Sequence, residues 1–159
     1  CHWRDDKISM FGKTYKQARK VAWHGDKGIT YSYSRIMMVS PGWTEQLLIL
    51  KTELNLLLGI NYNSVLVNLY QNGKDYMGLH SDDEKELGLR PFITSITLGA
   101  SRDFVFKHKK TREKILLTLE HGDLLIMKGE TQHFWSHGVP KRMKVSEPRL
   151  NLTFRKIIY

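Results

Sequence analysis

The sequence predicts a mainly β fold with one flanking helix, arranged as a double-stranded β-helix (jelly roll). Three observations favour this fold class. About eight short β-rich segments follow one another from residue 62 onward, separated by turn residues. A single upstream segment has helical leucine spacing, and no internal repeat or low-complexity segment is present. Closely spaced short strands of this kind are typical of two packed sheets.

The bulk properties predict one intracellular domain. The chain has 159 residues, enough for one core that buries about two thirds of the unfolded surface. Its one cysteine, Cys1, can form no internal disulfide, so we expect a reducing compartment, nucleus or cytoplasm depending on the source. Because the first residue is not Met, we expect a natural N-terminal extension. No apolar run approaches the roughly 20 residues of a membrane span, and we expect a soluble monomer without a membrane partner.

The charge balance favours a polyanionic partner. Lys and Arg number 25 against 16 acidic residues, a net charge of +9. Such an excess favours nucleic acid, because each neutralised phosphate releases counterions. Cationic runs at residues 107–114 and 141–144 add to this surface. The alternative is a basic surface that serves only solubility.

The N-terminal 40 residues combine aromatic and cationic side chains. Met10-Phe11-Gly12-Lys13 places an apolar pair at a glycine turn beside a cation, and an exposed aromatic there could wedge into stacked bases. Alternatively, Phe11 belongs to a local core. Within residues 29–35, Tyr and Ser alternate over residues 31–34, which predicts a strand with Tyr31 and Tyr33 on one face, either packed in the core or stacked on a base.

One helix is predicted next. Ser40-Pro41 is a helix-start pair, and Gly59 is a typical residue beyond a helix end. The leucines between them recur at helical spacing and are expected to cover one face of a sheet. They are Leu47, Leu50, Leu54, Leu57 and Leu58.

The strands of the predicted jelly-roll core follow in residues 62–159. They are expected at residues 65–70, 76–80, 92–99, 104–108, 115–119, 124–127, 134–136 and 149–158. Between the first two of these strands, Asn72-Gly73 is a strong signal for a β-hairpin.

A candidate metal site begins at the end of the second strand. His80 and Asp82 stand two residues apart, so a β-strand would project both side chains to one side. They supply part of the two-histidine, one-carboxylate set that holds iron(II) in oxygenases. Two similar triplets, His24-Gly25-Asp26 and His121-Gly122-Asp123, have a central glycine and are interpreted as turns.

The third ligand must come from elsewhere in the chain. The candidates are His108, His121, His133 and His137. His108 lies in a cationic run and His121 in a predicted turn, whereas His133 and His137 flank a short strand that His137 ends. An isolated histidine near a strand end is more often structural, so the pattern alone leaves this ligand open.

The last strand predicts a site for a dicarboxylate. Alternation places Arg149, Asn151, Thr153 and Arg155 on one face. Two cations are costly to bury without a counter-charge, and arginine binds carboxylates in bidentate fashion. The alternative is an exposed edge strand, although the apolar residues between them indicate that the other face is core.

These motifs, in this order and spacing, resemble the AlkB family of iron(II)/2-oxoglutarate dioxygenases over essentially the whole chain. They are Asn68-Leu69-Tyr70, His80-Ser81-Asp82-Asp83-Glu84, His137 and residues 148–155. The resemblance implies that His80, Asp82 and His137 hold iron. It also implies that Arg155 binds the C1 carboxylate end of 2-oxoglutarate and that Arg149 binds the C5 carboxylate. Tyr70 and Asn151 would assist Arg149, with Asn68 and Thr153 alongside.

The resemblance also implies the reaction and a substrate pocket. Such enzymes consume oxygen and 2-oxoglutarate, release succinate and carbon dioxide, and hydroxylate an N-alkyl group that then leaves as formaldehyde. The expected substrates are 1-methyladenine and 3-methylcytosine, flipped out of a nucleic acid. Tyr31, Ser32 and Tyr33 would line the base pocket, with Asp83 and Glu84 facing it. No catalytic residue beyond the metal centre is implied.

The resemblance leaves the strandedness of the substrate open. Residues 10–13 resemble the hairpin finger of the animal homologue that repairs double-stranded DNA, in which an aromatic such as Phe11, flanked by Gly12 and Lys13, replaces the flipped base. Residues 31–35 and 68–70 resemble the homologue that acts on single-stranded DNA and RNA, and residues 107–114 are fewer than in the double-strand enzyme. Residues 1–40 are expected to recognise the nucleotide.

Two other classes of function remain as alternatives. One is a catalytically silent nucleic-acid-binding β-domain, and the other is an oxygenase of the same fold that acts on protein or lipid. The presence of all three ligands argues against the first alternative, and the positive charge argues against the second.

Overall fold

The computed structural model describes residue 3 and residues 7–10, 13–16, 18–33 and 36–158. For residues 7–10, 13–16, 32, 33, 36 and 38 it describes the backbone alone. The strands are β1 (Lys7–Met10), β2 (Lys13–Lys16), β3 (Lys20–Gly25), β4 (Thr30–Tyr33), β5 (Ile36–Val39), β6 (Ser64–Tyr70), β7 (Met77–His80), β8 (Ile93–Gly99), β9 (Arg102–His108), β10 (Lys114–Leu119), β11 (Leu124–Met127), β12 (Trp135–Val139) and β13 (Arg149–Arg155). The helices are α1 (Glu45–Leu58), a 3₁₀ turn (Lys85–Leu87) and α2 (Thr131–Phe134).

Two antiparallel sheets form the body of the described chain. The larger has the order β11-β8-β13-β6-β3, and the smaller has the order β10-β9-β12-β7. One hydrophobic cluster joins the two sheets, since it contains Leu66 and Ile93 from the larger and Phe104 and Val139 from the smaller. The predicted jelly roll is therefore confirmed. Strand β3 belongs to the larger sheet, so the core is not confined to residues 62–159 as expected. Two further antiparallel pairs lie outside these sheets, β1-β2 before β3 and β4-β5 after it.

Helix α1 covers the other face of the larger sheet, as predicted, but it begins later than expected. Thr44 is the N-cap, and its hydroxyl accepts a hydrogen bond from the Leu47 amide at 3.4 Å. Gly59 ends the helix with φ 65°, as predicted. Leu57 is 71% exposed, contrary to the predicted buried face, because at 100° per residue it lies about 80° away from Leu47 around the helix axis.

The hairpin predicted at Asn72-Gly73 is wrong. Strand β6 belongs to the larger sheet and β7 to the smaller, so this turn carries the chain between the sheets. The Gly73 amide donates to the Val145 carbonyl at 2.7 Å, and the Arg142 amide donates to the Gly73 carbonyl at 2.8 Å. Gly73 is needed because a Cβ there would collide with the backbone carbonyl of Arg142, and its φ is not positive.

Replacing Gly73 with alanine is therefore expected to destabilise the fold by roughly 1–3 kcal/mol, as overpacking against backbone does. The matched control is Gly78→Ala, because a Cβ at Gly78 would meet no atom within 4 Å. Urea denaturation of both variants checks the difference. Equal stabilities of the two variants would contradict the close approach at Gly73.

Three other sequence expectations need correction. His24 and Gly25 lie in β3, and the predicted turn begins only at Asp26, whose carbonyl accepts the Ile29 amide at 3.2 Å. A Cβ added at Gly25 would lie 2.6 Å from the Asn63 carbonyl oxygen. The segment predicted as a strand over residues 134–136 is α2 followed by β12, so His137 lies inside a strand instead of ending one. The last strand ends at Arg155, before Ile157 donates its amide to the Asn63 side chain.

The interpretation of residues 121–123 as a turn is confirmed, since Gly122 has φ 90° and its amide donates to the Thr97 carbonyl. Within the described part of the chain, no helix combines the length and apolar character that a membrane crossing requires.

Candidate functional site

Two neighbouring strands of the smaller sheet bring three potential metal ligands together. His80 ends β7 and lies directly opposite His137 of β12 in the strand register. The two imidazole centroids are 4.4 Å apart. Asp82 follows His80 by two residues, and the ligand atoms of His80, Asp82 and His137 all lie within 4.8 Å of one another. The pairing of β7 with β12 thus adds His137 to the two ligands, His80 and Asp82, that the local sequence pattern predicts.

Hydrogen bonds orient two of these side chains. Nδ1 of His80 lies 2.9 Å from the Gly78 carbonyl, so Nδ1 carries the proton and Nε2 is left with a lone pair. This Nε2 lies 3.5 Å from Asp82 Oδ1. The backbone amide of Asp82 donates to Gln132 Oε1 at 2.9 Å, which fixes the loop after β7. The Asp82 carboxylate itself is oriented by Arg155, whose Nη2 donates to Oδ2 at 2.9 Å. Such supporting bonds are usual around metal ligands.

The donor set fits a divalent metal. Asp82 Oδ1 and His137 Nδ1 are buried without a hydrogen-bond partner in the described structure. A buried carboxylate oxygen left unpaired is costly, and a cation between the two imidazoles and the carboxylate would compensate it. Two histidines and one carboxylate with open positions match the set that non-haem iron(II) prefers.

Protonation states also suit metal binding. Burial alone would raise the pKa of Asp82, but the adjacent Arg155 guanidinium, then the His80 contact, bring it well below its usual range. The carboxylate is thus ionised at neutral pH. Burial lowers the pKa of His137 to about 4, against the opposing effect of Asp82, so its imidazole is neutral. Ionised carboxylate and neutral imidazole are the forms that bind metals.

A polar cavity opens beside the three ligands, between the two sheets. Its polar lining includes residues from β6, β7, β8, β12 and β13: Asn68, Tyr70, His80, Ser95, His137, Asn151, Thr153 and Arg155. As predicted, the polar residues of β13 share one buried face, with relative exposures of 8% or less. Arg149 itself adjoins this cavity through Asn151 without lining it.

A hydrogen-bond chain fixes the polar face of β13. Asn151 Oδ1 accepts from Ser95 Oγ at 2.7 Å and from Arg149 Nη2 at 3.1 Å, while Asn151 Nδ2 donates to Thr153 Oγ1 at 2.8 Å. Arg149 Nη2 also donates to Thr97 Oγ1 at 2.9 Å. These bonds occupy the acceptor atoms of Asn151, Thr97 and Thr153, but they use only Nη2 of the Arg149 guanidinium.

Both guanidinium groups of β13 keep buried donors free. Arg155 Nη2 donates to Asp82 Oδ2 at 2.9 Å, but Nε and Nη1 of Arg155 and of Arg149 have no partner in the described structure. Burial lowers the pKa of Arg149, with Tyr70 opposing and Arg102 reinforcing the effect. Two buried cations with unused N–H donors, of which only Arg155 has a counter-ion among the described residues, form a suitable site for an anion.

Tyr31 and Glu84 both lie near the Arg155 guanidinium. The Tyr31 ring is buried, stacks on Trp23 at 5.8 Å between centroids, and lies 5.9 Å from the Arg155 guanidinium. Burial raises the pKa of Tyr31 and also that of Glu84, although Arg155 opposes both shifts. Asp83, by contrast, is exposed and lines a separate surface depression with Gln132 and His133.

Several predicted site residues cannot be placed with their side chains. Phe11 and Gly12 lie outside the described residues, and Lys13, Ser32 and Tyr33 are described by backbone alone, in β2 and β4. Their proposed roles stay predictions.

The remaining histidine candidates have other partners. His108 stacks on Phe134 at 5.9 Å and accepts the Thr111 amide, and His121 accepts the Gly99 amide at 3.0 Å. His133 contacts the Phe134 ring edge-on at 4.6 Å. None of these three belongs to the ligand cluster found among the described residues.

Four residues of the site have no place in the sequence-based prediction: Arg19, Ser95, Thr97 and Gln132. The alternation of Ser95 and Thr97 on a predicted strand is a signal that could have indicated a polar inner face. Arg19 and Gln132 have no local signal, since each acts on a residue about fifty positions away.

Comparison with known proteins gives a consistent result. The profile of the 2OG-Fe(II) oxygenase superfamily matches residues 1–155. DNA oxidative demethylase ALKBH2 of Bos taurus is 42% identical over 160 residues, covering 96% of this chain and 58% of the relative. The human protein of the same name is 41% identical over 160 residues, covering 96% of this chain and 61% of the relative.

Alpha-ketoglutarate-dependent dioxygenase alkB homolog 3 of Bos taurus is 44% identical over 154 residues, covering 91% of this chain and 53% of the relative. The chain thus spans between 53% and 61% of the length of these three relatives. Among solved structures, OsALKBH1 superimposes with a TM-score of 0.65 at 20% identity, covering 96% of this chain and 85% of that one. This likeness supports the fold alone.

Proposed function

The chain belongs to the AlkB family within the 2OG-Fe(II) oxygenase superfamily, and from this premise we propose that it removes N-alkyl groups oxidatively from bases in DNA. The observation that carries the proposal is the convergence of His80, Asp82 and His137 beside the free donors of Arg155. A metal site next to an anion site is what an iron(II)- and 2-oxoglutarate-dependent dioxygenase requires.

His80, Asp82 and His137 would hold the iron. Once bound there, iron(II) would supply, with oxygen and 2-oxoglutarate, the oxidising power to hydroxylate the N-alkyl carbon; succinate and carbon dioxide would be released, and the hydroxylated product would lose formaldehyde. The contribution of the chain is to keep Asp82 ionised through Arg155 and His137 neutral through burial. No general acid or base beyond this centre is required.

The buried face of β13 would bind 2-oxoglutarate. We assign the C1 carboxylate end to Arg155 and the C5 carboxylate to Arg149, assisted by Tyr70 and Asn151, with Asn68 and Thr153 alongside. Arg155 suits its role because Nη2 is held by Asp82 while Nε and Nη1 are free. It can therefore orient a carboxylate and a metal ligand with one rigid group.

The flipped base would lie against Tyr31, Ser32 and Tyr33, with Glu84 contributing negative charge. Asp83 is not assigned to this pocket, contrary to the expectation from the sequence, because it is exposed and lines a separate depression. The lesions 1-methyladenine and 3-methylcytosine are cationic at neutral pH, so a half-buried carboxylate such as Glu84 would favour them over the neutral parent bases. The pocket would therefore discriminate methylated from unmethylated bases partly by their charge.

The partner is proposed to be nucleic acid, bound by a monomeric, intracellular enzyme in which residues 1–40 recognise the nucleotide and residues 62–159 carry the chemistry. The net charge of +9 supports this. DNA is favoured because two relatives are named DNA oxidative demethylases. Action on single-stranded DNA or RNA is the second candidate, favoured by residues 31–35 and the short segment 107–114.

Formaldehyde release tests the function and the strandedness together. Protein with iron(II) and 2-oxoglutarate is expected to release formaldehyde from 1-methyladenine and 3-methylcytosine oligonucleotides, compared as single strands and duplexes with the same lesion. Phe11→Ala is expected to lower activity on duplex by about 10-fold or more, the equivalent of one lost base stack. The control is Trp3→Ala, another N-terminal aromatic that is 39% exposed.

Unchanged duplex activity of the Phe11 variant would remove the finger assignment. Tight oligonucleotide binding without any formaldehyde from either lesion would favour a catalytically silent nucleic-acid-binding domain. Weak, salt-insensitive oligonucleotide binding would favour a protein or lipid substrate.

A further inference from the structure

The amide of Asn68 has one allowed orientation. Its Oδ1 accepts a hydrogen bond from Arg19 Nε at 2.7 Å, and both side chains are buried, each 6% exposed. A guanidinium has donors and no acceptor, so the amide oxygen must face Arg19 and the NH₂ group must face away from it. Arg19 is brought there by β3, in which Val21, two residues later, pairs with Asn68.

The facing strand presents a complementary arrangement. Asn151 lies directly opposite Asn68 in the pairing of β13 with β6. Its oxygen is used by Ser95 and Arg149, and its NH₂ group donates to Thr153. Asn68 Nδ2, in contrast, donates to no acceptor within the described chain. Both asparagines line the cavity, but only Asn68 has a donor to offer there.

We propose that Arg19 is a positioning residue for 2-oxoglutarate: by holding Oδ1 of Asn68, it turns the Asn68 NH₂ group into a fixed donor for a carboxylate of this co-substrate. This inference rests on the proposed function. If the amide were reversed, its oxygen would face the carboxylate and repel it. Fixing the amide before binding removes the rotamer cost that a free side chain would add on binding.

Direct binding of 2-oxoglutarate provides the test, without turnover. Isothermal titration calorimetry measures the affinity of Mn²⁺-loaded protein for 2-oxoglutarate. Asn68→Asp keeps an acceptor for Arg19 but has no N–H donor, so its affinity is expected to fall about 10- to 100-fold, as expected for a lost hydrogen bond to a charged group. Asn72→Asp is the control with the same charge change, because Asn72 uses only Oδ1, as acceptor for the Lys74 amide.

A double-mutant cycle shows whether Arg19 acts through Asn68. Arg19→Leu is expected to weaken 2-oxoglutarate binding by about 3- to 10-fold with Asn68 present, and by less than about 2-fold in the Asn68→Ala background. Arg19→Gln, which keeps a neutral N–H donor, is expected to retain most of the affinity. Circular dichroism melting identifies any variant that fails to fold, and Arg19→Gln keeps the test decisive if Arg19→Leu does not fold.

Three results would overturn the inference. They are an Asn68→Asp variant that binds like the wild type, an Arg19→Leu loss that is equal in both backgrounds, and an Arg19→Gln variant as weak as Arg19→Leu. The second and third would indicate direct contact or simple charge instead of positioning. A wild-type protein that binds no 2-oxoglutarate would overturn the proposed function as well, so the two failures are distinguishable.

Discussion

Asp82→Asn is expected to lower formaldehyde release by more than about 100-fold, because even residues that only support a metal ligand cost up to that factor. The substitution preserves the shape of the side chain but removes the negative charge between His80, His137 and Arg155. It leaves the buried Arg155 cation without its counter-ion, so stability should also fall, by roughly 3–5 kcal/mol for a broken buried pair. Formaldehyde assays and urea denaturation measure these two effects, and Mn²⁺ titration measures the loss of metal affinity that is expected to accompany them.

The control for this prediction is Asp123→Asn. Asp123 belongs to the same His-x-Asp pattern, but it is exposed and only accepts the Glu120 amide at 2.8 Å. It should retain activity and metal affinity. Metal binding by the Asp82 variant at wild-type affinity would contradict the assignment of the centre.

The contrast between these triplets shows how far a local pattern predicts the site. The i, i+2 spacing of His80 and Asp82 and the glycine at the centre of residues 121–123 are local features, and they predicted the ligands and the turn correctly. The choice between His133 and His137 was open because it depends on the register between β7 and β12. Resemblance to a family supplied that choice, since a family motif records long-range contacts.

The errors in the fold have the same physical origin. Asn72-Gly73 has the composition of a hairpin turn, but strand partners are chosen by the whole sheet, and Gly73 is there to admit the Arg142 backbone. Leucine spacing predicted the helix, while the packing of α1 against the sheet left Leu57 outside. Arg19 and Gln132 act across about fifty residues, so no local period reveals them.

Removing the positive charge of Arg149 tests the anion site independently of the metal. Arg149→Met is expected to weaken 2-oxoglutarate binding by about 100-fold, the equivalent of roughly 3 kcal/mol for one charge-assisted hydrogen-bond pair. Arg149→Lys keeps the charge but not the planar fork, so it should recover only part of this affinity. Calorimetry with 2-oxoglutarate measures both variants, and Arg142→Met, which removes a cation paired with Asp103 on the surface, is the control.

Stability should respond to Arg149→Met in the opposite direction from activity. Arg149 is 1% exposed, and in the described structure it contacts the neutral side chains of Thr97, Asn151 and Tyr70. Replacing a buried cation that lacks a counter-ion with an apolar side chain is often neutral or stabilising. The free energy of unfolding in urea should therefore stay equal or rise while 2-oxoglutarate affinity collapses. A stability loss of several kcal/mol with unchanged affinity would instead make Arg149 a structural residue, and the carboxylate would have to be bound by Arg155 alone.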